Sequence, residues 1–275
     1  MGKKNSSFSV KPFIILAAMA VFICFALDTT QETLKSWQFF MVLVSVLLVF
    51  FVFRKYLPIS DVSVIIGSGM FLKLAYVLYT AVWTRQHDVV DFGTGEGHAG
   101  YIEYILQNHA LPDFDPRTVW AFFHPPLHHI IAALWMKISL YAGLAYRQAQ
   151  ENIQALTLCY IGAVMLFSYF ICRELGLKKW GMRAAMLLIS FHPVYIILSG
   201  SINNDALSLA LTAAALYFAV IWYKNPGIPV IHLLAACIGL AMMAKLSGGM
   251  IALAVGALFL LKFITDRTNW KRYLG

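Results

Sequence analysis

Charge is scarce in this sequence. Only 12% of its 275 residues are Asp, Glu, Lys or Arg, while 60% are hydrophobic; soluble domains run near roughly 25% charged and 45–50% apolar. With a mean hydropathy of +0.73, too little polar surface remains to cover a water-soluble globule. Acids are scarcer still, 13 against 21 Lys and Arg, for a net charge of +8. That excess does not imply nucleic acid: the basic residues sit in short loops between apolar runs, the pattern that sets orientation in a membrane. Cysteine is also rare. Cys24, Cys159, Cys172 and Cys237 all lie in apolar stretches without CxxC spacing, which argues against a disulfide or zinc framework and leaves small buried hydrophobes. No small-x-small cleavage site follows the first apolar run, so that run reads as a span rather than a leader.

What the chain has in quantity is long apolar runs and aromatics, the latter 15% of residues, as interfacial belts require. A helix needs about 20 residues to cross the hydrocarbon core. Candidates are 11–27, 37–53, 59–83, 150–172, 183–199, 205–223, 229–245 and 247–264. The run 125–146 is less apolar, opens on two prolines and contains histidines. If it lies in the outer leaflet instead of crossing, the charges sort well. Lys3, Lys4, Lys11, Arg54, Lys55, Arg173, Lys178, Lys179, Arg183 and Lys224 fall inside, and the acids of a long loop, 84–147, fall outside. The expected fold is all-α: one transmembrane helical bundle over 1–275, about eight spans, both termini cytoplasmic, with short interfacial helices in the outer loop. Backbone groups in lipid must be satisfied within their own segment, which demands helices.

Polar chemistry concentrates in a few places. The outer loop opens with His87, Asp88, Asp91, Glu96 and His98, followed by a helical pattern over 99–108. Such acids can take a proton from a hydroxyl or hold a divalent cation; equally, they can be solvated loop acids. His124-Pro125-Pro126-Leu127-His128 spaces two histidines four apart, which suits a metal, a phosphate or an ordinary hydrogen bond. Asp205 follows Asn203-Asn204 at a helix start, where a carboxylate is favoured with or without a ligand. Lys73 falls mid-span, where a charge costs ~3 kcal/mol or more unless partnered. Lys245 sits at the outer tip of a hairpin, able to snorkel or to meet a phosphate. His192-Pro193 predicts a kink. Gly93-Thr94-Gly95-Glu96-Gly97 is not a P-loop, since no strand leads into it.

Three of these segments together resemble the polytopic GT-C glycosyltransferases of the family 39, dolichyl-phosphate-mannose protein mannosyltransferase-like kind. The residues are Asp88 in an acidic loop, Gly97-His98 with Tyr101, His124-Pro125-Pro126-Leu127, and Asn204-Asp205 after a Pro-containing span, over about 60–265. The resemblance implies an inverting hexosyltransferase that takes a sugar from a polyprenyl-phosphate donor on the outer side of the membrane and passes it to a protein, lipid or glycan. It implies Asp88 as general base or metal ligand, with Asp91 and Glu96 as alternates. His124 would meet the lipid phosphate, with His98 and His128 in the same substrate site and Lys245 a second phosphate contact. Asp205 would lie near the acceptor or, with Asp88, bind a divalent cation (Mg or Mn), the one cofactor expected. Nucleic acid is not an expected partner. Gly97-His98 stands where many relatives carry an Asp-Glu pair, and Phe123 where some carry an acid. The chain stops at Gly275, where members usually continue, so further C-terminal spans are expected to be missing. Two competing expectations are a transporter or inactive lipid-binding relative, favoured by Lys73, and a zinc hydrolase built on His98, His124 and His128.

Overall fold

A computed structural model describes residues 60–82 and 91–266. The runs 11–27 and 37–53 and the acid Asp88 lie outside them. The described residues are helical, with no strand among them. The order is α1 (Asp61–Tyr79), α2 (Gly97–Asn108), α3 (Leu127–Tyr141), α4 (Tyr146–Glu151), α5 (Ile153–Glu174), α6 (Lys179–Ser190), α7 (Pro193–Ser199), α8 (Asp205–Lys224), α9 (Ile228–Ala244) and α10 (Ile251–Thr265), with short 3-10 turns at Pro116–Thr118 and Leu246–Met250.

Among the described residues, four helical stretches are long and apolar enough to cross a bilayer: Asp61–Tyr79, Tyr146–Glu174, Asp205–Lys224 and Leu246–Thr265. Helices α6 and α7 pass only as a pair, bent by 48°. The bend falls where Pro193 opens α7; Pro has no N–H to continue the ladder of α6, so the kink expected at His192-Pro193 is present. Apolar α9 is shorter, at 17 residues. The protein is thus a multi-pass membrane protein. Helix α3 has 15 residues, about 22 Å at 1.5 Å per residue, short of a core about 30 Å thick.

The bundle has two chemically different ends. At one, Arg183 pairs with Asp61 and Lys224 with Glu174, beside Arg173, Lys178 and Lys179. At the other, α8 begins with Asp205 and Lys245 follows the end of α9, and these two residues form an ion pair. Helix α8 is the axis, packed against both α5 and α9. Its buried face is largely alanine, with Ala206, Ala210, Ala213, Ala214, Ala215 and Ala219, and small residues let backbones approach where lipid supplies no hydrophobic drive. The turn after α9 is as tight. A Cβ on Gly248 would lie 2.5 Å from Ser208 Oγ and 2.7 Å from the Ala241 carbonyl.

Lys73 has a structural explanation. It is fully buried, and its Nζ donates to the Ser190 carbonyl at 2.6 Å and to the Gly69 carbonyl at 3.4 Å. Ser190 ends α6, whose last carbonyls lose their helical partners at the bend. The lysine therefore supplies donors, and a favourable charge at a helix C-terminus, where the Pro193 break removes them. Its mid-span cation thus has backbone partners at this join.

Candidate active site at one end of the bundle

The site is assembled from four stretches far apart in sequence: α2 with its preceding loop, the start of α3, the start of α8 and the end of α9. The loop 93–97 is a glycine hinge. Gly93, Gly95 and Gly97 all have positive φ (83°, 76° and 71°), a region closed to most L-residues. The turns lay Gly95 directly on Gly100 of α2, so close that a Cβ on Gly100 would sit 2.6 Å from the Gly95 carbonyl carbon. Glu103 holds the other side of the hinge. Its carboxylate accepts from the Gly93 N–H (2.6 Å), the Tyr146 hydroxyl (2.8 Å) and Gln150 Nε2 (3.2 Å). Glu103 is therefore a staple. Asp91 and Glu96 are exposed, and Glu96 directly precedes Gly97-His98.

The hinge delivers His98 to α3. Pro126 precedes the first helical residue, Leu127, so His124 lies in the turn before the helix rather than on a helical face shared with His128. The two histidines go to different places. His124 stacks on His98 (ring centroids 5.1 Å, 18° between planes). His128 points inward, and its Nε2 donates to the Ile202 carbonyl at 2.6 Å; only a donor can serve a carbonyl, so Nε2 carries the proton. The partner that residue spacing misses is His129. Its Nε2 lies 2.9 Å from His98 Nδ1, the two rings end to end and nearly parallel (centroids 5.1 Å, 11°), and its face stacks on Tyr101 (4.3 Å, 26°). Phe122 closes the column on Tyr101 at 4.5 Å. The sequence signal for His129 was adjacency: beside a buried His128, a second fully buried histidine needs a polar partner.

Electrostatics separate the imidazoles from the cation. Burial first, then the charges of His128, His124 and Lys245, pull His98 down to about 3. Burial pulls His128 to about 4, opposed by the Ile202 carbonyl and by Asp205. His129 also lies well below its ordinary 6.5, through burial and then its three histidine neighbours. These rings are neutral at pH 7. Lys245, about one-third exposed and paired to Asp205, brings a cation to the rings. Asn204 fixes the geometry by donating from Nδ2 to the Ala244 carbonyl at 2.8 Å, one residue from each member of the pair. Sequence-expected residues His98, His124, His128, Asp205 and Lys245 thus gather at one end; Asp88 lies outside the described residues.

A stability profile follows. These histidines bind protons in the unfolded chain below pH 6.5 but resist them when folded, so the unfolded state gains protons first and stability falls as pH drops from 6.5 towards 4. Thermal unfolding in detergent should show Tm declining across that window and level above pH 7. A flat profile would mean that the rings accept protons in the folded protein.

A model of the dolichyl-phosphate-mannose-protein mannosyltransferase family matches residues 124–273. The chain belongs to that family. The match runs from His124 through Asp205 and Lys245 to beyond α10, and does not take in Asp91, Glu96 or His98, which the sequence likeness from about residue 60 had included. No curated protein and no solved structure matches the chain. As a member of the mannosyltransferase family it is a membrane glycosyltransferase whose family draws on a dolichyl-phosphate-linked sugar. A zinc hydrolase has less support: among the described residues no group of three His, Cys, Asp or Glu is placed to hold a metal, and His128 Nε2 is occupied by Ile202.

Proposed function

We propose that the protein transfers a sugar, with inversion, from a polyprenyl-phosphate donor to a hydroxyl or amine on a protein, lipid or glycan, at the outer face of a cell membrane. The orientation follows from the basic end of the bundle, which the positive-inside rule assigns to the cytoplasm, with both termini on that side. The observation that carries the reading is the junction of Lys245 and Asp205 with the His98–His124 stack.

The chemistry suits those residues. The acceptor oxygen attacks the anomeric carbon as its proton passes to a carboxylate, for which Asp88 is the choice and Asp91 and Glu96 the alternates. The bond from the anomeric carbon to the phosphate oxygen breaks, and polyprenyl phosphate leaves with the electron pair. Its growing negative charge needs a cation already in place, which is Lys245. The neutral imidazole of His98, or the His124 ring stacked on it, donates an N–H to the phosphate. Asp205 holds Lys245 until the donor arrives and then faces the acceptor. A divalent cation, Mg or Mn, at Asp88 and Asp205 would have to take Asp205 from Lys245, so no step is routed through it.

The test is transfer of radiolabelled sugar from polyprenyl-phosphate donors in membranes containing the protein, with Asp88→Asn alongside and divalent ions varied. Transfer abolished in Asp88→Asn, with expression and detergent stability intact, supports the base assignment; full activity in that variant removes it. Absence of transfer with polyprenyl-phosphate binding retained would favour an inactive lipid-binding relative, and absence of both a transporter.

A further inference from the structure

The two adjacent histidines at the start of α3 are both fully buried, yet they carry their protons on opposite nitrogens. His128 is protonated on Nε2, which donates to the Ile202 carbonyl. His129 turns the other way. In the first turn of α3 the Ile130 N–H donates to the Pro126 carbonyl, and the Pro125 carbonyl meets the His129 ring instead. Pro125 stands four residues before His129. Across that spacing a histidine reaches back with Nδ1, as His232 does to the Ile228 carbonyl at 3.0 Å. The alignment at His129 falls short of a full hydrogen bond. A carbonyl oxygen beside a ring nitrogen still favours an N–H there over a lone pair.

That proton placement passes to the next ring. With Nδ1 protonated, a neutral His129 has a lone pair at Nε2, and this nitrogen lies 2.9 Å from His98 Nδ1. His98 therefore donates from Nδ1, and its own Nε2 is left bare. Tyr101 stacks on the His129 face and Phe122 on Tyr101, which packs the His129 ring against rotation and keeps the order of donors fixed.

The bare nitrogen faces the cation. The charge of Lys245 bears on the His98 ring, whereas the charges bearing on His129 come from histidines, so Lys245 lies on the side of His98 turned away from His129. A lone pair beside an ammonium is favourable, and an N–H there would not be. His124 stacks on the same ring. His98 thus belongs to the phosphate side of the site. Inversion brings the attacking group to the opposite face of the anomeric carbon, so the acceptor does not meet this nitrogen. A sugar-linked phosphate at neutral pH offers acceptors only, and a prenyl chain offers no polar group. The donor's sugar hydroxyls are what can donate to His98 Nε2.

We propose that His129 is a positioning residue for donor recognition: it holds His98 with its proton on Nδ1, so that Nε2 accepts a hydrogen bond from a hydroxyl of the donor sugar. The proposal rests on the transfer reading and deepens it. Of the two rings beside the phosphate, His124 donates and His98 accepts.

The test is nitrogen magnetic resonance of isotope-labelled histidine rings in detergent at neutral pH, with His98 assigned by its loss in His98→Gln. Before any ligand is added, His98 should be protonated at Nδ1 and bare at Nε2. The reverse would overturn the proposal whatever the chain transfers. His129→Gln, whose amide oxygen can still accept from Nδ1, should keep that tautomer. His129→Phe, which removes the acceptor and keeps a ring under Tyr101, should move the proton to Nε2; an unchanged tautomer in that folded variant would overturn the positioning role. Polyprenyl-phosphate mannose, the probe that the family suggests, should then shift His98 Nε2, and polyprenyl phosphate without a sugar should not. An equal shift with both would move the contact to the phosphate and overturn the sugar assignment. In membranes, KM for this donor should rise about ten-fold in His129→Phe, the scale of one lost hydrogen bond, with kcat and the acceptor KM little changed. A rise in the acceptor KM instead would overturn the proposal. Native protein that transfers nothing yet shows the Nδ1 tautomer would fault the transfer reading alone, so the two failures are told apart.

Discussion

Lys245→Met should lower kcat/KM for a polyprenyl-phosphate sugar about a hundred-fold, the scale on which removal of one preorganised charge-stabilising group is felt. The loss should fall mainly on kcat, because the charge on the departing phosphate grows in the transition state. Lys245→Arg should keep much of the activity, since guanidinium also binds phosphate. The substitution is mild for the fold: Lys245 is about one-third exposed, its partner Asp205 equally so, and exposed pairs contribute little stability. An active Lys245→Met protein would take the phosphate contact away from this residue and leave the pair a join between α8 and α9.

Gly100→Ala should be strongly damaging to the site. The new Cβ would lie 2.6 Å from the Gly95 carbonyl carbon, 3.1 Å from its oxygen and 3.2 Å from its Cα. All three are backbone atoms, and Gly95 is held at positive φ by the hinge, so neither partner can give way as a flexible side chain would. Overpacking of this kind costs about 1–3 kcal/mol, read as a fall in Tm of several degrees. Activity should fall further than stability, because α2 carries His98 and an ångström of misplacement can cost about a hundred-fold. Gly239→Ala is the control: a Cβ there meets nothing within 4 Å, and alanine is the better helix residue by roughly 1 kcal/mol, so Tm should hold or rise. Equal behaviour of the two variants would mean that the hinge is free to move.

Much of the architecture was legible in the sequence. The runs 59–83, 150–172, 205–223 and 247–264 correspond to stretches long and apolar enough to cross, because membrane helices are set by local composition and backbone satisfaction. The bend at His192-Pro193 was equally local. The helical pattern over 99–108 became α2, Gly97–Asn108, extended by two residues because the hinge glycine starts it. The site was legible only in part. His124 and His128 carried their chemistry in their spacing, yet spacing assigned them one helical face, and the start of α3 at Leu127 separates them.

The sequence by itself determined that this is a helical membrane protein with its polar groups collected near helix ends, since scarcity of charge and length of apolar runs decide solubility and crossing without reference to neighbours. Tertiary structure alone decided which polar groups meet. Lys73 found the Ser190 carbonyl 117 residues away, Glu103 became a staple for a glycine hinge, His129 met His98 across 31 residues, and Asp205 met Lys245 across 40 residues. The physical reason is reach. A hydrogen bond or ion pair acts over a few ångströms, and nothing in a residue's own neighbourhood along the chain reveals which distant helix end will stand beside it once the bundle has packed.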